Sequence, residues 1–358
     1  MKENIYDIWL SQVKGIGLSK KIELIQATGS SYQLYKMNKE ELRVLSGWDA
    51  RWIDPLYQDK NLDDAKKILE KMEKLQIQGV GYFDNEYPKE LRHIYNPPLY
   101  LYVKGRKLKA DETEAVAIIG SRKGSAYGRT VAYELAKKLS QSGSPVISGM
   151  AYGIDSYAHR GSVENGGYTI AVLGSGVNIC YPKKNRELME QISNSGSVIS
   201  EYPPDTMPFP AYFPARNRII SGLSKAIVII EAGEKSGTLI TAELGLEQGK
   251  DIYALPGNIY NVYSIGTNRL IKEGATPICS IEEFLVDLNI TNPPERMKYL
   301  DLGKDETRVY DIIKSMQPVH KDILAYKLQK EVLEIAAIIS ILEIKGLVES
   351  TYAGIIAK

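Results

Sequence analysis

The sequence predicts an α/β protein: a Rossmann-like, mostly parallel sheet core, a small helical domain before it and a winged helix after it. Residues 80–290 alternate short apolar runs with amphipathic stretches, the pattern of strands separated by helices. The run at 226–230 is apolar without interruption, as in a strand buried on both faces of a parallel sheet. Glycine-bearing turns follow directly on several of these runs, where open parallel sheets collect ligands.

Residues 1–75 interleave charged residues with Ile, Leu and Trp and read as helices. Within them Gly15-Ile16-Gly17 lies between two helical patterns, the form of a helix-hairpin-helix whose glycines permit a tight turn. The N–H groups of such a turn can reach a backbone phosphate. Charge is nearly even there, which favours a packing role. The stretch 82–105 is rich in Pro and Tyr and adds irregular structure or an extra strand.

Strands are then expected at 115–119, 146–148, 169–173, 197–200, 226–230 and 252–255, with helical stretches such as 128–142 between them. Residues 291–306 are polar, contain Pro293 and Pro294, and read as a linker. Residues 307–358 show three short helical patterns and a terminal strand pair, 346–350 and 354–358, which together make a winged helix. Its third helical pattern carries Glu331, Glu334 and Glu343 against Lys345. A groove-reading helix presents Arg, Lys, Asn or Gln at its exposed start. The wing therefore reads as a protein-contact module, with DNA reading second.

Composition bounds the function. The 358 residues are 44% hydrophobic and 25% charged, with no apolar stretch near the length of a membrane span, so a cytoplasmic protein is expected. Cys180 and Cys279 lie far apart without His or Cys at metal spacing; both are expected to be small buried hydrophobes, and no metal is expected. The balance of 45 basic and 44 acidic residues requires a nucleic-acid binder of this composition to concentrate its positive charge locally. Clusters stand at 104–109, 122–123, 183–186 and 216–218, and the last three follow or close an expected strand. With 24 Tyr against 4 Phe, most tyrosines read as replacing Phe at half-buried positions.

The chemistry sits in the turns. Gly120-Ser121-Arg122 follows the first expected strand of the core; the glycine allows a tight backbone, Ser and free N–H groups can donate to an oxyanion, and Arg adds a charged fork. Gly174 and Gly176 form a later turn, followed by Lys183, Lys184 and Asn185, which suit phosphates along a groove. Arg216, Asn217 and Arg218 precede the strand at 226–230, and Gly237-Thr238 opens a helix after it. For Arg218 a phosphate contact and a buried ion pair both stand open. Asp155 follows another glycine-bearing turn as a ribose contact or, preferred, a helix cap. His159 reads as structural.

A nucleotide enzyme is the alternative. Gly237-Thr238-x-x-Thr241-x-Glu243 resembles the Pro-Gly-Gly-x-Gly-Thr-x-x-Glu motif of phosphoribohydrolases acting on nucleoside monophosphates. Glu234-Lys235-Ser236 replaces the first three residues, however, and the Glu sits two positions late. A Walker loop and a Gly-x-Gly-x-x-Gly fingerprint are absent from the sequence. The residues read as a binding protein with no catalytic group and no cofactor.

Seven stretches in order carry a family resemblance: FDNEYPKEL…NPPLYLYVKG (83–105), VAIIGSR (116–122), VISGMAYGID…H (146–159), TIAVLGSGVNICYPKKN (169–185), ISEYPP (199–204), the block 213–258 and SIGTN (264–268). Together they resemble the DNA-processing protein A family (DprA, also called Smf). The resemblance implies a protein that binds and protects single-stranded DNA in natural transformation and hands it to the RecA recombinase. It further implies a homodimer formed through the central domain, a SAM-like helical domain at the start and Arg122 as a DNA-phosphate contact.

Overall fold

The computed structural model describes residues 4–46, 50–58, 60–109, 114–290, 303–344, 347–351 and 354–357. The chain forms two compact units, Met1–Thr291 and Asn292–Lys358. In the first unit the helices α1 (Asn4–Gln12), α2 (Leu18–Thr28), α3 (Ser31–Lys36), α4 (Lys39–Ser46), α5 (Ala50–Gln58) and α6 (Asp63–Leu75) come first. The chain continues through β1 (Ile77–Gly81), α7 (Lys89–Arg92), β2 (Tyr100–Gly105), β3 (Val116–Ile119), α8 (Ala126–Gln141), β4 (Val146–Ser148), α9 (Ile154–Val163) and β5 (Thr169–Val172). There follow α10 (Arg186–Ser195), β6 (Ser197–Ser200), α11 (Tyr212–Leu223), β7 (Ala226–Ile229), α12 (Gly237–Glu247), β8 (Asp251–Ala254), α13 (Ile265–Lys272), β9 (Thr276–Pro277) and α14 (Ile281–Asp287).

The nine strands make one sheet in the order β1-β2-β6-β5-β4-β3-β7-β8-β9. The strands from β6 to β9 are parallel, and β2 and β1 extend one edge antiparallel. From β3 the chain winds outward through β4, β5 and β6, then returns to place β7 on the other side of β3. That reversal is a topological switch point, and it opens a crevice beyond the carboxyl ends of β3 and β7.

The period of two along each strand divides the core. Ala117, Ile119, Ile227 and Ile229 join the cluster on one face, with Ile219, Ile220 and Leu223 of α11. Val116, Ile118, Ala226 and Val228 join the cluster on the other, with Leu135 and Leu139 of α8 and Ile154 of α9. Both faces of β3 and β7 are therefore dry, which is why these strands read as unbroken apolar runs. The first helices share a third cluster with Tyr100 and Tyr102 of β2, Val198 of β6 and Leu188 of α10.

Several sequence expectations change here. The stretch 82–105 supplies one antiparallel strand, β2, and β1 precedes it unforeseen. The charged group 216–218 and the apolar residues after it form one helix, α11. Cys180 is half-buried and Cys279 is exposed rather than buried; Cys279 follows the edge strand β9, whose two residues are themselves exposed. Among the described residues, no helix is long and apolar enough to cross a membrane.

At the Gly15 turn (φ 80°), Lys21 points inward and donates to the Ser11 carbonyl at 3.2 Å, closing the end of α1. Burial pushes its ammonium down to about 8. An unfolded lysine keeps its proton to about 10, so between these values the unfolded chain binds more protons and stability rises with pH. Relative to Lys21→Met, wild type should gain roughly 2–3 kcal/mol from pH 7 to pH 10, read by urea unfolding of both at each pH. A flat difference would show that Lys21 titrates as if in water.

The second unit contains α15 (Lys304–Met316), α16 (Lys321–Leu328), α17 (Val332–Ile344) and the antiparallel pair β10 (Val348–Thr351) and β11 (Gly354–Ala357). Its core gathers Val309, Ile313, Leu324, Ile335, Ile339 and Leu342. Helix α15 begins inside the stretch expected as linker, because Glu306 Oε2 accepts from the Gly303 N–H at 3.0 Å and caps it. The rest of that stretch, 291–302, lies outside the described residues. Lys330 pairs with Asp305 at 2.8 Å and Glu334 at 3.7 Å.

Candidate functional site

At the switch point the backbone is tightly drawn. The Ser121 N–H donates to the Glu231 carbonyl at 2.8 Å, and the Ser121 carbonyl accepts from Ile154 N–H at 3.2 Å. A side chain at Gly120 would meet Ile154 at 2.7 Å, and Gly153 turns at φ 73° against the Ser121 carbonyl. Helix α8, which follows, is already occupied at its N-terminus. The buried Glu231 carboxylate accepts from Ser125 N–H at 2.8 Å and from the Ser125 hydroxyl at 2.5 Å. The protein's own carboxylate thus satisfies the helix dipole that an external phosphate would use. In the Gly120 turn itself the Ser121 N–H is taken by the Glu231 carbonyl and the Lys123 N–H by the Ser121 hydroxyl at 3.1 Å, which corrects the expectation that these N–H groups are free for an oxyanion.

Helix α12 differs. Ser236 caps it weakly, accepting from Thr238 N–H at 3.3 Å, and open space surrounds Gly237. Gly237 and Thr238 line a cleft of about 610 Å³, together with Gly120, Ser121, Arg122, Arg216 and Asn217. Lys123, Asp155, Tyr181 and Phe213 complete its polar and aromatic wall. Arg122 and Lys123 are exposed. The Arg122 guanidinium lies 5.8 Å from the centre of the Phe213 ring, and the Phe213 and Tyr181 rings are 5.5 Å apart. None of the ion pairs among the described residues involves Arg122, Lys123, Lys183 or Lys184.

Arg216 behaves otherwise. It is 5% exposed, and its Nη1 donates to the Gly149 carbonyl at 2.8 Å and to the Val172 carbonyl. These carbonyls lie just beyond β4 and at the end of β5, where a parallel sheet runs out of partners. A side chain at Gly149 would strike Arg216 Nη2 at 2.6 Å, so the glycine makes room for the guanidinium. Asn217 Oδ1 accepts from Arg216 Nε at 3.2 Å. Burial lowers the guanidinium to about 10, while Asp155 nearby favours its charge. Burial also raises the Asp155 carboxyl, opposed by Arg216 and by backbone N–H groups. Asp155 accepts from Gly149 N–H at 3.2 Å and Ala151 N–H at 3.4 Å. It ties down the turn before α9 rather than capping that helix. Arg216 is thus a structural cation at the floor of the cleft, not a mobile one on its rim.

Arg218 is paired: its fork meets the Glu201 carboxylate at 2.9 and 2.6 Å, and Nε donates to the Asn96 carbonyl at 2.9 Å. Of the two readings the sequence left open, the largely buried ion pair is the observed one. Gly174 and Gly176 also serve packing. Gly176 N–H donates to the Thr206 carbonyl at 2.8 Å, and a side chain there would meet the Pro203 carbonyl at 2.6 Å. Asn185 is buried and donates to the Met150 carbonyl and the Ser156 hydroxyl, both at 2.9 Å. Lys183 and Lys184 are exposed on a short 3-10 turn, two residues beyond Tyr181 of the cleft wall.

His159 is fully buried, its Nδ1 2.7 Å from the Thr169 hydroxyl, and burial pushes it down to about 3. Glu243, the residue on which the enzyme alternative rests, is exposed on α12 and outside the cleft lining. Among the described residues, no three His, Cys, Asp or Glu side chains gather to hold a metal.

Phe213 and Tyr181 were not singled out from the sequence. Each had a signal: Phe213 is one of 4 Phe in the chain and precedes Arg216 by one helical turn, and Tyr181 abuts the lysine pair. Glu231 had none, because its partner Ser125 is distant in sequence.

The fold and the open cleft define a doubly wound α/β protein, a class that places its ligands at the switch point of the sheet. Within that class, the chain belongs to the DNA recombination-mediator protein A family, whose model matches residues 78–289. Protein Smf of Synechocystis is 35% identical over 85% of this chain and 76% of its own length. The solved DNA processing protein A of Streptococcus pneumoniae covers 80% of this chain and 98% of its own, with TM-score 0.68 and 34% identity. The Helicobacter pylori protein, whose structure is described as revealing its single-stranded DNA binding mode, covers 60% of this chain and 96% of its own, with TM-score 0.55 and 32% identity.

Proposed function

We propose that the cleft binds single-stranded DNA with little regard to sequence and without catalysis. The observation that carries this reading is the pairing of exposed, uncommitted cations with an aromatic wall. Arg122 and Lys123 suit phosphates, while Tyr181 and Phe213 offer ring faces to unstacked bases. Lys183 and Lys184 extend the cationic rim. The described binding mode of the Helicobacter pylori relative supports the choice of ligand.

Family membership extends the proposal to natural transformation in the cytoplasm, delivery of the strand to RecA and a homodimer through residues 80–290. The first helices are assigned to a helix-hairpin-helix or SAM-like module and the second unit to a winged helix. The wing acts as a protein contact. Tyr326 and Leu333 stand exposed on it, and Lys330 is engaged by Asp305 and Glu334.

Fluorescence anisotropy with a labelled oligonucleotide, across a salt series, tests this for the full chain and for residues 1–290. Affinity should fall linearly on a log–log plot, with a slope of about −0.7 per phosphate contacted. The shortened chain should bind within about tenfold, roughly 1.4 kcal/mol. Salt-insensitive or absent binding rejects the cleft, and loss confined to the shortened chain moves the contact to the wing. Sedimentation of the same samples as monomers at micromolar concentration removes the dimer.

A further inference from the structure

The turn Gly149–Ala151, between β4 and α9, is held by more buried side chains than a connection needs. Arg216 takes the Gly149 carbonyl, Asp155 the Gly149 and Ala151 N–H groups, Asn185 the Met150 carbonyl and Ser156 the Ala151 carbonyl. Met150, fully buried, sits at φ 61°, a left-handed conformation costly for a side-chain-bearing residue. Such backbone persists only where its surroundings over-determine it, and it concentrates where a group must be presented accurately. Four side chains from three different segments fix this turn.

What the turn presents is Tyr152. That ring is 42% exposed, with no hydrogen-bond partner for its hydroxyl among the described residues. It lines a second, smaller hollow of about 50 Å³ that adjoins the main cleft and shares Arg122, Tyr181, Phe213 and Arg216 with it. The hollow is too small to swallow a base. Two of the rings that line it are exposed, Tyr152 on one segment and Tyr181 on another.

We propose that Tyr152 is a base-stacking residue of the nucleic-acid site, held by the clamped turn so that one unpaired base lies across its ring outside the main cleft. The inference rests on the reading of the cleft as a single-strand site. A stack needs a free base face, so this station admits unpaired strands and excludes bases committed to a duplex. Asn185 and Asp155 are its positioning residues: they touch the turn, not the strand.

The test uses the full chain and oligonucleotides of one length, single-stranded and duplex, with Tyr152→Ala, Tyr152→Phe and Arg122→Ala. Tyr152→Ala should weaken single-strand binding about tenfold, leave the salt slope at its wild-type value and narrow the preference over duplex. Tyr152→Phe should bind within about twofold, because the ring and not the hydroxyl acts. Thermal melting should be unchanged in both, since the side chain is half in solvent. In Tyr152→Trp the new indole fluorescence should be quenched on adding oligonucleotide. Wild-type affinity in Tyr152→Ala, equal losses in Ala and Phe, or an unquenched indole would each overturn the assignment. The underlying reading fails separately, when Arg122→Ala and wild type bind alike or neither binds.

Discussion

Arg122→Ala is expected to cost single-strand affinity roughly 30–100-fold, about 2–3 kcal/mol, for every sequence tested. The guanidinium is exposed beside the Phe213 ring, and no carboxylate among the described residues pairs with it, so its five donors are available to a phosphate. Because the lost interaction is ionic, the slope of log affinity against log salt should become shallower by about 0.7. Arg122→Lys keeps the charge and loses the fork, and should recover the slope while recovering only part of the affinity. Unfolding curves should stay close to wild type, because Arg122 is exposed and its charge works against the buried Arg216 rather than for it. Equal affinities for Arg122→Ala and wild type at low salt would mean that the strand does not pass through the cleft.

Arg122, Arg216 and Arg218 show what the sequence could and could not convey. All three follow the same logic of a cation beside an expected strand or turn, and residue type alone ranks them equally. Their fates are decided by distant partners: Gly149 and Val172 for Arg216, Glu201 for Arg218. Of the three, Arg122 alone has no carbonyl or carboxylate partner for its guanidinium among the described residues. The same limit applies to helix termini, since α8 looks as open as α12 until Glu231, far along the chain, fills it. The sheet was more legible. Strands buried on both faces, such as β3 and β7, must be continuously apolar, and that requirement is local. Strand β1 escaped because its sequence, IQGVG, carries two glycines. Gly79 is there for a tertiary reason: the Tyr100 ring of β2 occupies the space a side chain would need. The expectation that most tyrosines replace Phe at half-buried positions misses both extremes: Tyr100 and Tyr102 are fully buried, whereas Tyr152 and Tyr181 are exposed.

The largest stability effect is expected from Arg216→Ala. Removal of the guanidinium strands the Gly149 and Val172 carbonyls and leaves the buried Asp155 carboxylate without its cation. A buried acceptor left unpaired costs about 1–3 kcal/mol, so two stranded carbonyls beside a carboxylate that has lost a nearby positive charge cost about 3–5 kcal/mol together. At roughly 2–4 °C per kcal/mol for domains of 150–250 residues, the melting temperature should drop by about 6–20 °C. The sign of the pH dependence separates this cause from a simple cavity. Asp155 is already raised by burial, and without Arg216 it rises further. Above the unfolded carboxyl value of about 4, the folded variant then holds a proton that the unfolded chain has released. Stability contributed in that way is present at acid pH and falls as pH increases through the folded value. The gap between wild type and Arg216→Ala should therefore narrow from pH 8 to pH 5. In Arg216→Ala combined with Asp155→Asn, the gap should lose its pH dependence, because the titrating group is gone. Unfolding of the three proteins by urea at each pH gives the answer. A gap that stays constant from pH 8 to pH 5 in the single variant would mean that lost packing, rather than an unpaired buried carboxylate, dominates the cost.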